Sequence, residues 1–263
     1  MLKLLAIGNS FSQDATVFLH DMAERGGIAV KVVNLFIGGC SLKTHWENIV
    51  NNKHDYTYML NGINIRDNVS LREALLEEDW DFVTLQQLSD DSGFIDTYLP
   101  YIYYLYVYVK QYSHNSAVYL HQTWPYEIDS SHEAFVRYHN DQNYMHTLIR
   151  GCYNALSQAL NVPIIPTGEV IQALRRSPHF NHSAGGQSLC RDGYHLDLTY
   201  GRYAAAAAWY ETLLQGNILM NDYLPCGEIC ANDELITLIK ETVHNICGMR
   251  GMFINQERID DEN

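Results

Sequence analysis

The chain opens on Leu2-Lys-Leu-Leu-Ala-Ile-Gly8, a short apolar run that a glycine ends. The run is shorter than the apolar core of a secretory signal peptide, and no small-residue cleavage site follows it, so it indicates a buried strand. Helical spacing of apolar residues then extends over residues 13–25, and Gly26-Gly27 ends that segment. A strand followed at once by a helix is typical of the first half of a βαβ unit.

The same alternation continues along the rest of the chain. The tyrosine-rich segment 101–109 alternates like a strand, but its position between two strands favours a crossover helix. Strands separated by helices form parallel sheets that are covered on both faces. We therefore expect an α/β fold, a three-layer α/β/α sandwich around a parallel sheet of five strands. The further predicted strands are 29–36, 81–85, 117–120 and 162–165, and the further predicted helices are 42–50, 69–78, 131–160 and 199–214.

The composition indicates one acidic globular domain. No repeat or linker divides residues 1–263, although the polar tail at 257–263 is expected to be disordered. The formal net charge is −14, which argues against nucleic acid and anionic membranes as partners. No segment is long and apolar enough to span a membrane. The absence of a recognisable signal peptide favours the cytoplasm, while a leader removed beforehand would leave the periplasm or secretion open. The sequence does not indicate the oligomeric state.

The cysteines and histidines do not form a metal-binding pattern. The six cysteines are scattered, and a chain of this length folds without disulfides, so thiols are expected. Cys226 and Cys230 are close enough to pair in an oxidising compartment, but no second Cys or His pair stands at the spacing of a zinc site. His132, His139 and His146 recur at heptad spacing on a predicted helix, where we expect surface or packing roles. No cofactor or metal is predicted.

The first strand ends in Gly8-Asn9-Ser10-Phe11-Ser12. A serine in a strand-to-helix turn suits nucleophilic catalysis, because its hydroxyl stands at the sheet edge and the helix N-terminus offers N–H groups to an oxyanion. The structural alternative is that Ser10 or Ser12 only caps the helix. The pentapeptide alone favours the cap, since Ser after Gly is common.

A second motif, Arg191-Asp192-Gly-Tyr-His195-Leu-Asp197, precedes the alanine-rich helix near the C-terminus. An Asp three residues before a His on a loop can bend back to the imidazole, fix its tautomer and stabilise the imidazolium. The alternative is a solvated loop histidine. If Asp192 does not serve, Asp197 is the next candidate carboxylate, although its position after His195 makes the same geometry harder.

Together, the two motifs and their order resemble the SGNH (GDSL-type) hydrolase family. The resemblance implies a flavodoxin-like strand order and a catalytic triad of Ser10, Asp192 and His195. It also implies an oxyanion hole in which the backbone N–H groups of Ser10 and of a glycine after the second strand take part. Gly38-Gly39-Cys40-Ser41 matches that block, with Gly39 the first choice. A tight strand-to-helix turn is a second, compatible reason for these glycines.

The chain departs from the family pattern in two blocks. The first block usually reads Gly-Asp-Ser, and Asn9 replaces the acid here. The third block usually supplies an Asn side chain after the third strand, where this chain has Gln86-Gln87 instead. Neighbouring side chains of a strand point to opposite faces, so one glutamine at most is expected to aim at Ser10. We predict Gln86 as the oxyanion donor, and expect Gln87 to bond the following loop or substrate. The alternative is that both glutamines only satisfy backbone groups of the loop.

The resemblance predicts an ester hydrolase that needs no cofactor. Trp124 and Tyr126 follow the fourth predicted strand and are candidates for a wall that binds a sugar or acyl group, with packing as an equal alternative. These aromatics and the glutamine variant, which resembles carbohydrate O-acetylesterases, favour an O-acetyl group on a carbohydrate as substrate. The alternatives are a lipid or thioester hydrolase, which needs a long apolar groove, and a non-catalytic carbohydrate-binding protein, which would not need all three triad residues.

Overall fold

A seven-stranded sheet forms the centre of the computed structural model, which describes residues 1–225 and 231–260. The strands lie in the order β4-β3-β2-β1-β5-β6-β7, and all neighbours are parallel except the pairs β2–β3 and β3–β4. If only the five parallel strands β1, β2, β5, β6 and β7 are numbered from 1 to 5 in chain order, their order in the sheet is 2-1-3-4-5. The strands are β1 Leu2–Gly8, β2 Val30–Phe36, β3 Tyr56–Leu60, β4 Ile63–Val69, β5 Phe82–Leu85, β6 Ala117–His121 and β7 Ile164–Ile165.

The expected five-stranded sheet is therefore wrong in its number of strands, because the chain adds the antiparallel hairpin β3–β4 beside β2. The hairpin turn is Asn61-Gly62, and both residues have the positive φ angles of a tight two-residue turn, 50° and 82°. An Asn-Gly pair between two β-rich runs was a usable signal. Strand β4 is almost wholly exposed at the sheet edge and so lacks an apolar pattern.

The helices follow the predicted alternation with some differences in their bounds. The segment 101–109 is helical, as predicted, whereas 131–160 divides at His139 and Asn140, whose φ angles are positive. The segment 13–25 divides into α1 and α2, and α7 and α9 were not predicted. The helices are α1 Ser10–Thr16, α2 Leu19–Arg25, α3 Leu42–Val50, α4 Leu71–Glu77, α5 Tyr101–Tyr112, α6 Gln142–Leu160, α7 Thr167–Leu174, α8 Tyr200–Leu214 and α9 Asp233–Asp260.

Two groups of helices cover the sheet. Helix α8 packs against α1, α2, α7 and α9, while α3, α4 and α5 pack on one another. Crossover connections between parallel strands are right-handed. Because the chain moves across the sheet in one direction from β1 to β2 and in the opposite direction from β2 to β5, these two connections lie on opposite faces of the sheet. Residues 204–208 of α8 are alanines with no exposed surface, which lets neighbouring helices approach closely.

The reversal of direction falls between β1 and β5, and open α/β sheets bind ligands at the carboxyl ends of the strands at such a point. Ser10 follows β1, the Gly38-Gly39 turn follows β2, and Gln86 follows β5. Among the described residues, no helix has the length and apolar character of a membrane span. Cys226 and Cys230 lie outside the described residues, and the predicted disordered tail overlaps α9 as far as Asp260.

Candidate active site

Three of the selected residues, far apart in sequence, meet at the carboxyl edge of the sheet. Ser10 Oγ lies 2.8 Å from His195 Nε2, and His195 Nδ1 lies 2.7 Å from Asp192 Oδ2. With an ionised Asp192, Nδ1 must carry the imidazole proton, so Nε2 accepts the hydrogen bond that the serine hydroxyl donates. In this arrangement an imidazole can take a proton from a serine while a carboxylate fixes its tautomer.

The Asp-x-x-His segment folds around the carboxylate of Asp192. The backbone N–H groups of Tyr194 and His195 donate to Oδ1 at 3.2 and 2.8 Å, and Oδ2 faces the imidazole. Gly193 has a φ angle of +87°, which permits the reversal of the chain. Burial by itself raises the pKa of Asp192, but the hydrogen bonds from His195 and Tyr194 outweigh it and lower that pKa. The carboxylate therefore stays ionised beside the imidazole.

The cap of α1 sets the position of Ser10. Asn9 is the N-cap residue, and its Oδ1 accepts a hydrogen bond from the N–H of Phe11 at 3.0 Å. The N–H of Ser10 is the first of the helix, and such groups have no partner within the helix. Ser12 is buried, and its Oγ lies 2.7 Å from Asn34 Oδ1 and 2.8 Å from the carbonyl of Asn9. Ser12 is thus a structural residue, and Ser10 faces His195.

The Gly38-Gly39 turn lies beside the Ser10 turn. The N–H of Ile37 donates to Gly8 O at 3.5 Å, which joins the ends of β1 and β2, and the N–H of Cys40 closes the turn on Ile37 O at 3.3 Å. Gly39 has a φ angle of +63°, and a Cβ added there would meet no atom of the described residues within 4 Å. The backbone conformation therefore requires the glycine, and the open space beside it leaves its peptide accessible.

A buried carboxylate links the helix of Ser10 to the loop of His195. Asp14 lies one turn after Ser10 on α1 and has no exposed surface. Its oxygens accept hydrogen bonds from Arg191 Nη1 at 3.0 Å, from Arg202 Nε at 2.8 Å and from the N–H of Leu196 at 2.9 Å. Arg191 and Leu196 stand on either side of the Asp192–His195 pair, so Asp14 fixes both ends of that loop.

Sequence reasoning did not select Asp14, although a signal was present. Asp14 stands at i+3 from Phe11 and at i−4 from Phe18, on the apolar side of the segment. An acid on the apolar face of a helix must find cationic or N–H partners, because an unpaired buried charge is very unfavourable. Asp197, the alternative carboxylate, instead accepts the N–H groups of Thr199, Tyr200 and Gly201 at the start of α8.

Trp124 and Tyr126 do not form the expected wall of the cleft. Both side chains are fully buried. Trp124 stacks on Phe11 at 4.0 Å between ring centroids, and its Nε1 donates to Tyr194 O at 2.8 Å. Tyr126 donates its hydroxyl to Asp90 Oδ1 at 2.7 Å. Both residues therefore have packing roles, which was the alternative interpretation. Trp124 also supports the loop of His195 through its hydrogen bond to Tyr194 O.

The two glutamines after β5 are also buried, so neither reaches an open cleft. The Nε2 group of Gln86 donates to Asn9 Oδ1 at 2.7 Å, which directs this amide at the helix cap. The Oε1 atom of Gln87 accepts the N–H groups of Leu42 and Leu88, both at 2.9 Å, and its Nε2 donates to Thr97 O at 3.0 Å. This geometry does not fit Gln86 as a direct oxyanion donor or Gln87 as a substrate ligand.

A partly exposed aromatic residue that sequence reasoning missed lies beside the candidate base. The ring of Tyr194 is 4.1 Å from the ring of His195 and 4.5 Å from that of His132, between centroids. Its signal was its position inside the Asp-x-x-His segment, which must bring residue 194 to the site. Tyr194 is thus a partly exposed aromatic side chain beside His195, the kind of residue that Trp124 and Tyr126 were expected to be.

Metal-binding groups lie elsewhere. In the part of the chain that the structure describes, one cluster of ligand-type side chains lies within ligand distance, namely His20, Asp21 and Glu24 on α2. Asp21 and Glu24 are exposed, and exposed acids commonly cluster without binding an ion. Cys40, Cys152 and Cys190 are buried thiols, and burial raises their pKa values, that of Cys152 to about 11.

The sheet order is that of an α/β protein with a fold similar to that of the SGNH hydrolases. A candidate SGNH hydrolase from Slackia heliotrinireducens superposes with a TM-score of 0.56 and 19% identity, over 81% of this chain and 98% of that one. The acetylxylan esterase Axe2 from Geobacillus stearothermophilus superposes with a TM-score of 0.54 and 13% identity, over 80% and 93%. At these identities the likeness is one of fold.

Residues 3–241 match the family described as Domain of unknown function (DUF4886), and the chain belongs to that family. A DUF4886 family protein from Bacteroides uniformis ATCC 8492 shares 37% identity and a TM-score of 0.86, over 93% of each chain. No curated protein sequence matches the chain.

Proposed function

We propose that the protein is a serine ester hydrolase with Ser10 as nucleophile, His195 as general base and Asp192 as the carboxylate that orients it. The observation that carries the proposal is the unbroken hydrogen-bonded series Ser10 Oγ, His195, Asp192, with distances of 2.8 and 2.7 Å. A serine that only caps a helix would not need an imidazole at this distance, nor a carboxylate behind the imidazole. The series also argues against a non-catalytic binding protein.

The reaction proceeds through an acyl-enzyme. Ser10 Oγ forms a bond to the ester carbonyl carbon, and its proton passes to His195 Nε2. The carbon–oxygen bond to the alcohol then breaks, and His195 returns the proton to the leaving alcohol. Water attacks the acyl-enzyme in the second half, its proton passes through His195 to Ser10, and the carboxylic acid is released. Asp192 stabilises the imidazolium in both halves.

The oxyanion is received by backbone groups. Ser10 offers the first N–H of α1, and Gly39 offers the N–H of an open turn beside it. Two backbone N–H groups aimed at the oxyanion suffice for such a hole. We therefore retain the N–H groups of Ser10 and Gly39 as the oxyanion donors, and Gln86 is not a direct donor.

The substrate class that we propose is a short acyl ester on a carbohydrate. Tyr194 beside His195 offers an aromatic face on which a sugar ring can pack. The fold is similar to that of the acetylxylan esterase Axe2. Initial rates on acetylated xylo-oligosaccharides, p-nitrophenyl acetate and p-nitrophenyl palmitate test this class. Faster turnover of the palmitate would favour a lipid hydrolase.

The nucleophile is tested by Ser10→Ala against Ser12→Ala. Ser10→Ala is expected to lose hydrolysis of p-nitrophenyl acetate by several orders of magnitude and to lose labelling by a fluorophosphonate, with an unchanged far-UV spectrum. Ser12→Ala removes a similar hydroxyl two residues away and should keep the labelling. Labelling that survives in Ser10→Ala would disprove the assignment.

A further inference from the structure

A buried series of polar side chains runs from β6 to the two turns that carry the backbone donors. His121 Nδ1 lies 2.9 Å from Gln86 Oε1, Gln86 Nε2 lies 2.7 Å from Asn9 Oδ1, and Asn9 Nδ2 lies 3.0 Å from Cys40 O. His121, Gln86 and Asn9 are at most 2% exposed. Buried polar groups need hydrogen-bond partners, and each of these three side chains provides a partner for the next.

The hydrogens of this series can be assigned in one consistent way. Asn9 Oδ1 accepts the N–H of Phe11, so the Nδ2 group of Asn9 must be the one that donates to Cys40 O. Gln86 must then donate through Nε2 to Asn9 and accept through Oε1, which requires the proton of His121 on Nδ1. Every bond therefore points from His121 towards Cys40, and aligned bonds strengthen one another.

Burial keeps the histidine in the required form. His121 has no exposed surface, its Nε2 has no hydrogen-bond partner within residues 1–225 and 231–260, and its ring packs on Trp209 at 4.8 Å between centroids. Desolvation lowers the pKa of His121 to about 3, so the imidazole is neutral. A neutral ring with a bare Nε2 must hold its single proton on Nδ1, which is the proton that Gln86 uses.

The end of the series lies at the candidate oxyanion donors. Asn9 precedes Ser10, and Cys40 follows Gly39. One side chain, that of Asn9, therefore holds both turns at once through Phe11 N and Cys40 O. A carboxylate in its place could accept the first bond but could not donate the second, which explains the use of Asn9 where the first block of the SGNH family usually has an acid.

We propose that His121, Gln86 and Asn9 are positioning residues that set the separation of the Ser10 and Gly39 N–H groups and so tune the oxyanion hole. The inference rests on the proposed function and adds to it a mechanism by which three residues without substrate contact control the rate. In the SGNH family the third block usually supplies an Asn side chain that donates to the oxyanion directly. Here Gln86 would act instead by positioning backbone N–H groups.

Gln86→Met tests the proposal, with Gln122→Met as its matched control. Gln122 is also a buried glutamine directly after a strand and also bonds through both amide atoms, but its partner is Glu169. Gln86→Met should lower kcat for p-nitrophenyl acetate by roughly 10- to 100-fold with little change in KM, because a shift of about 1 Å in catalytic groups costs up to about 100-fold. Gln122→Met should keep kcat within about three-fold.

A second readout separates positioning from general loss of structure. Phenylboronic acid forms a tetrahedral adduct with a catalytic serine, so its Ki reports on the oxyanion hole. If His121, Gln86 and Asn9 position the hole, the Ki should rise in Gln86→Met by a factor similar to the loss in kcat. A fall in Tm with an unchanged Ki, or equal losses in both glutamine variants, would overturn the proposal. A wild-type chain that neither hydrolyses esters nor reacts at Ser10 with a fluorophosphonate would instead refute the proposed function itself.

Asn9→Ser provides the test if Gln86→Met does not fold. Ser caps helices about as well as Asn and adds no charge beside the oxyanion hole, so folding is expected to persist. The shorter side chain gives up the amide bond to Cys40 O, so kcat should fall and the Ki of phenylboronic acid should rise by a similar factor. A folded Asn9→Ser variant with wild-type kcat and Ki would show that the link to Cys40 does not position the hole.

Discussion

The two sides of the candidate site are held in place by different chemistry. The acid–base side, the loop 191–197 that carries His195, is tied to α1 by the carboxylate of Asp14 and the guanidinium groups of Arg191 and Arg202. The oxyanion side, formed by the turns at 9–10 and 38–40, is held by the neutral amides of Gln86 and Gln87.

The difference follows from what each side does in the proposed reaction. The acid–base side gains and loses a proton in each half-reaction: the ion pairs of Asp14 fix the loop, and the carboxylate of Asp192 stabilises the imidazolium. The oxyanion side must keep a constant geometry for a negative charge, and neutral donors and acceptors hold it without adding a competing charge. Breaking a charged link is costly, because a buried charge left without its partner lowers the free energy of unfolding by about 3–5 kcal/mol. A buried neutral group left without its partner lowers it by about 1–3 kcal/mol.

The largest effect is expected on the acid–base side, at Asp192. Asp192→Asn should lower kcat/KM by roughly 10⁴-fold, because an amide favours the wrong tautomer of the imidazole and cannot stabilise the imidazolium. Asp197→Asn is the control: the Asp197 carboxylate accepts N–H groups at the start of α8, so the variant should lose stability rather than kcat/KM. Rates on p-nitrophenyl acetate measure both, and equal losses would remove Asp192 from the triad.

The next effect is on stability, at the charged link itself. Asp14→Asn should lower the free energy of unfolding by about 3 kcal/mol, the lower end for a broken buried pair, because Arg191 and Arg202 keep some contact with water. Glu47→Gln, which removes an exposed pair with Lys43, should cost less than about 0.5 kcal/mol. Urea unfolding compares the two. A small loss in Asp14→Asn would mean that the loop is held mainly by packing.

How the site was predicted also differs between its sides. Ser10, Asp192 and His195 could be selected because each motif is local in sequence and its chemistry depends on residue type. The place of Asp14 on the apolar side of its segment indicates a buried acid, but not its role, because that role depends on Arg191 and Arg202, which lie more than 170 residues away along the chain. The roles of Gln86 and Gln87 depend on where their amides point, which strand alternation alone does not determine.

The fold shows the same limit. Buried parallel strands are continuous apolar runs, so β1, β2, β5 and β6 were recognisable, whereas the exposed β4 carries no such run. The Asn61-Gly62 pair was the local signal for the hairpin that β4 completes. An edge strand is defined by its pairing partner, which a one-dimensional pattern does not contain.

A smaller effect is expected at the neutral side, from Gln87→Met. The variant leaves the N–H groups of Leu42 and Leu88 without an acceptor, which should cost about 1–3 kcal/mol of unfolding free energy. The turn at 38–40 is held from its other end by Asn9, so kcat should fall less than in Gln86→Met. Thermal unfolding and initial rates measure the two quantities. A larger loss of kcat in Gln87→Met would make Gln87 the main support of that turn.

The last effect, at most about 1.4 kcal/mol per pH unit for each titrating group, is a difference in acid sensitivity between the two sides, and it has a definite sign. Burial lowers the pKa of His121 to about 3, so the unfolded chain takes up a proton below about pH 6.5 while the folded chain does not. Stability on the oxyanion side therefore falls as the pH drops from about 6.5 towards 3. His45, which is also buried and has a pKa lowered to about 3, adds to the same slope.

On the acid–base side, the carboxylate of Glu127 should respond only in stronger acid. Glu127 supports that loop, since its N–H donates to Gly193 O at 2.7 Å and its carboxylate pairs with Arg175. Burial by itself raises the pKa of Glu127, but the charge of Arg175 and the hydrogen bonds to the carboxylate outweigh it and lower that pKa. Its stabilising contribution is therefore complete above the unfolded value of about 4.3 and is lost as the pH falls below it.

Two variants separate these windows. His121→Gln should flatten the plot of unfolding free energy against pH between about 6 and 4.5, by up to about 1.4 kcal/mol per pH unit for the one proton concerned. Glu127→Gln should leave that slope unchanged and flatten the plot only below about pH 4.3. The slopes are compared rather than the absolute stabilities, because each variant also loses hydrogen bonds at every pH. If both variants change the slope in the same window, the two sides do not differ in the charge chemistry that holds them.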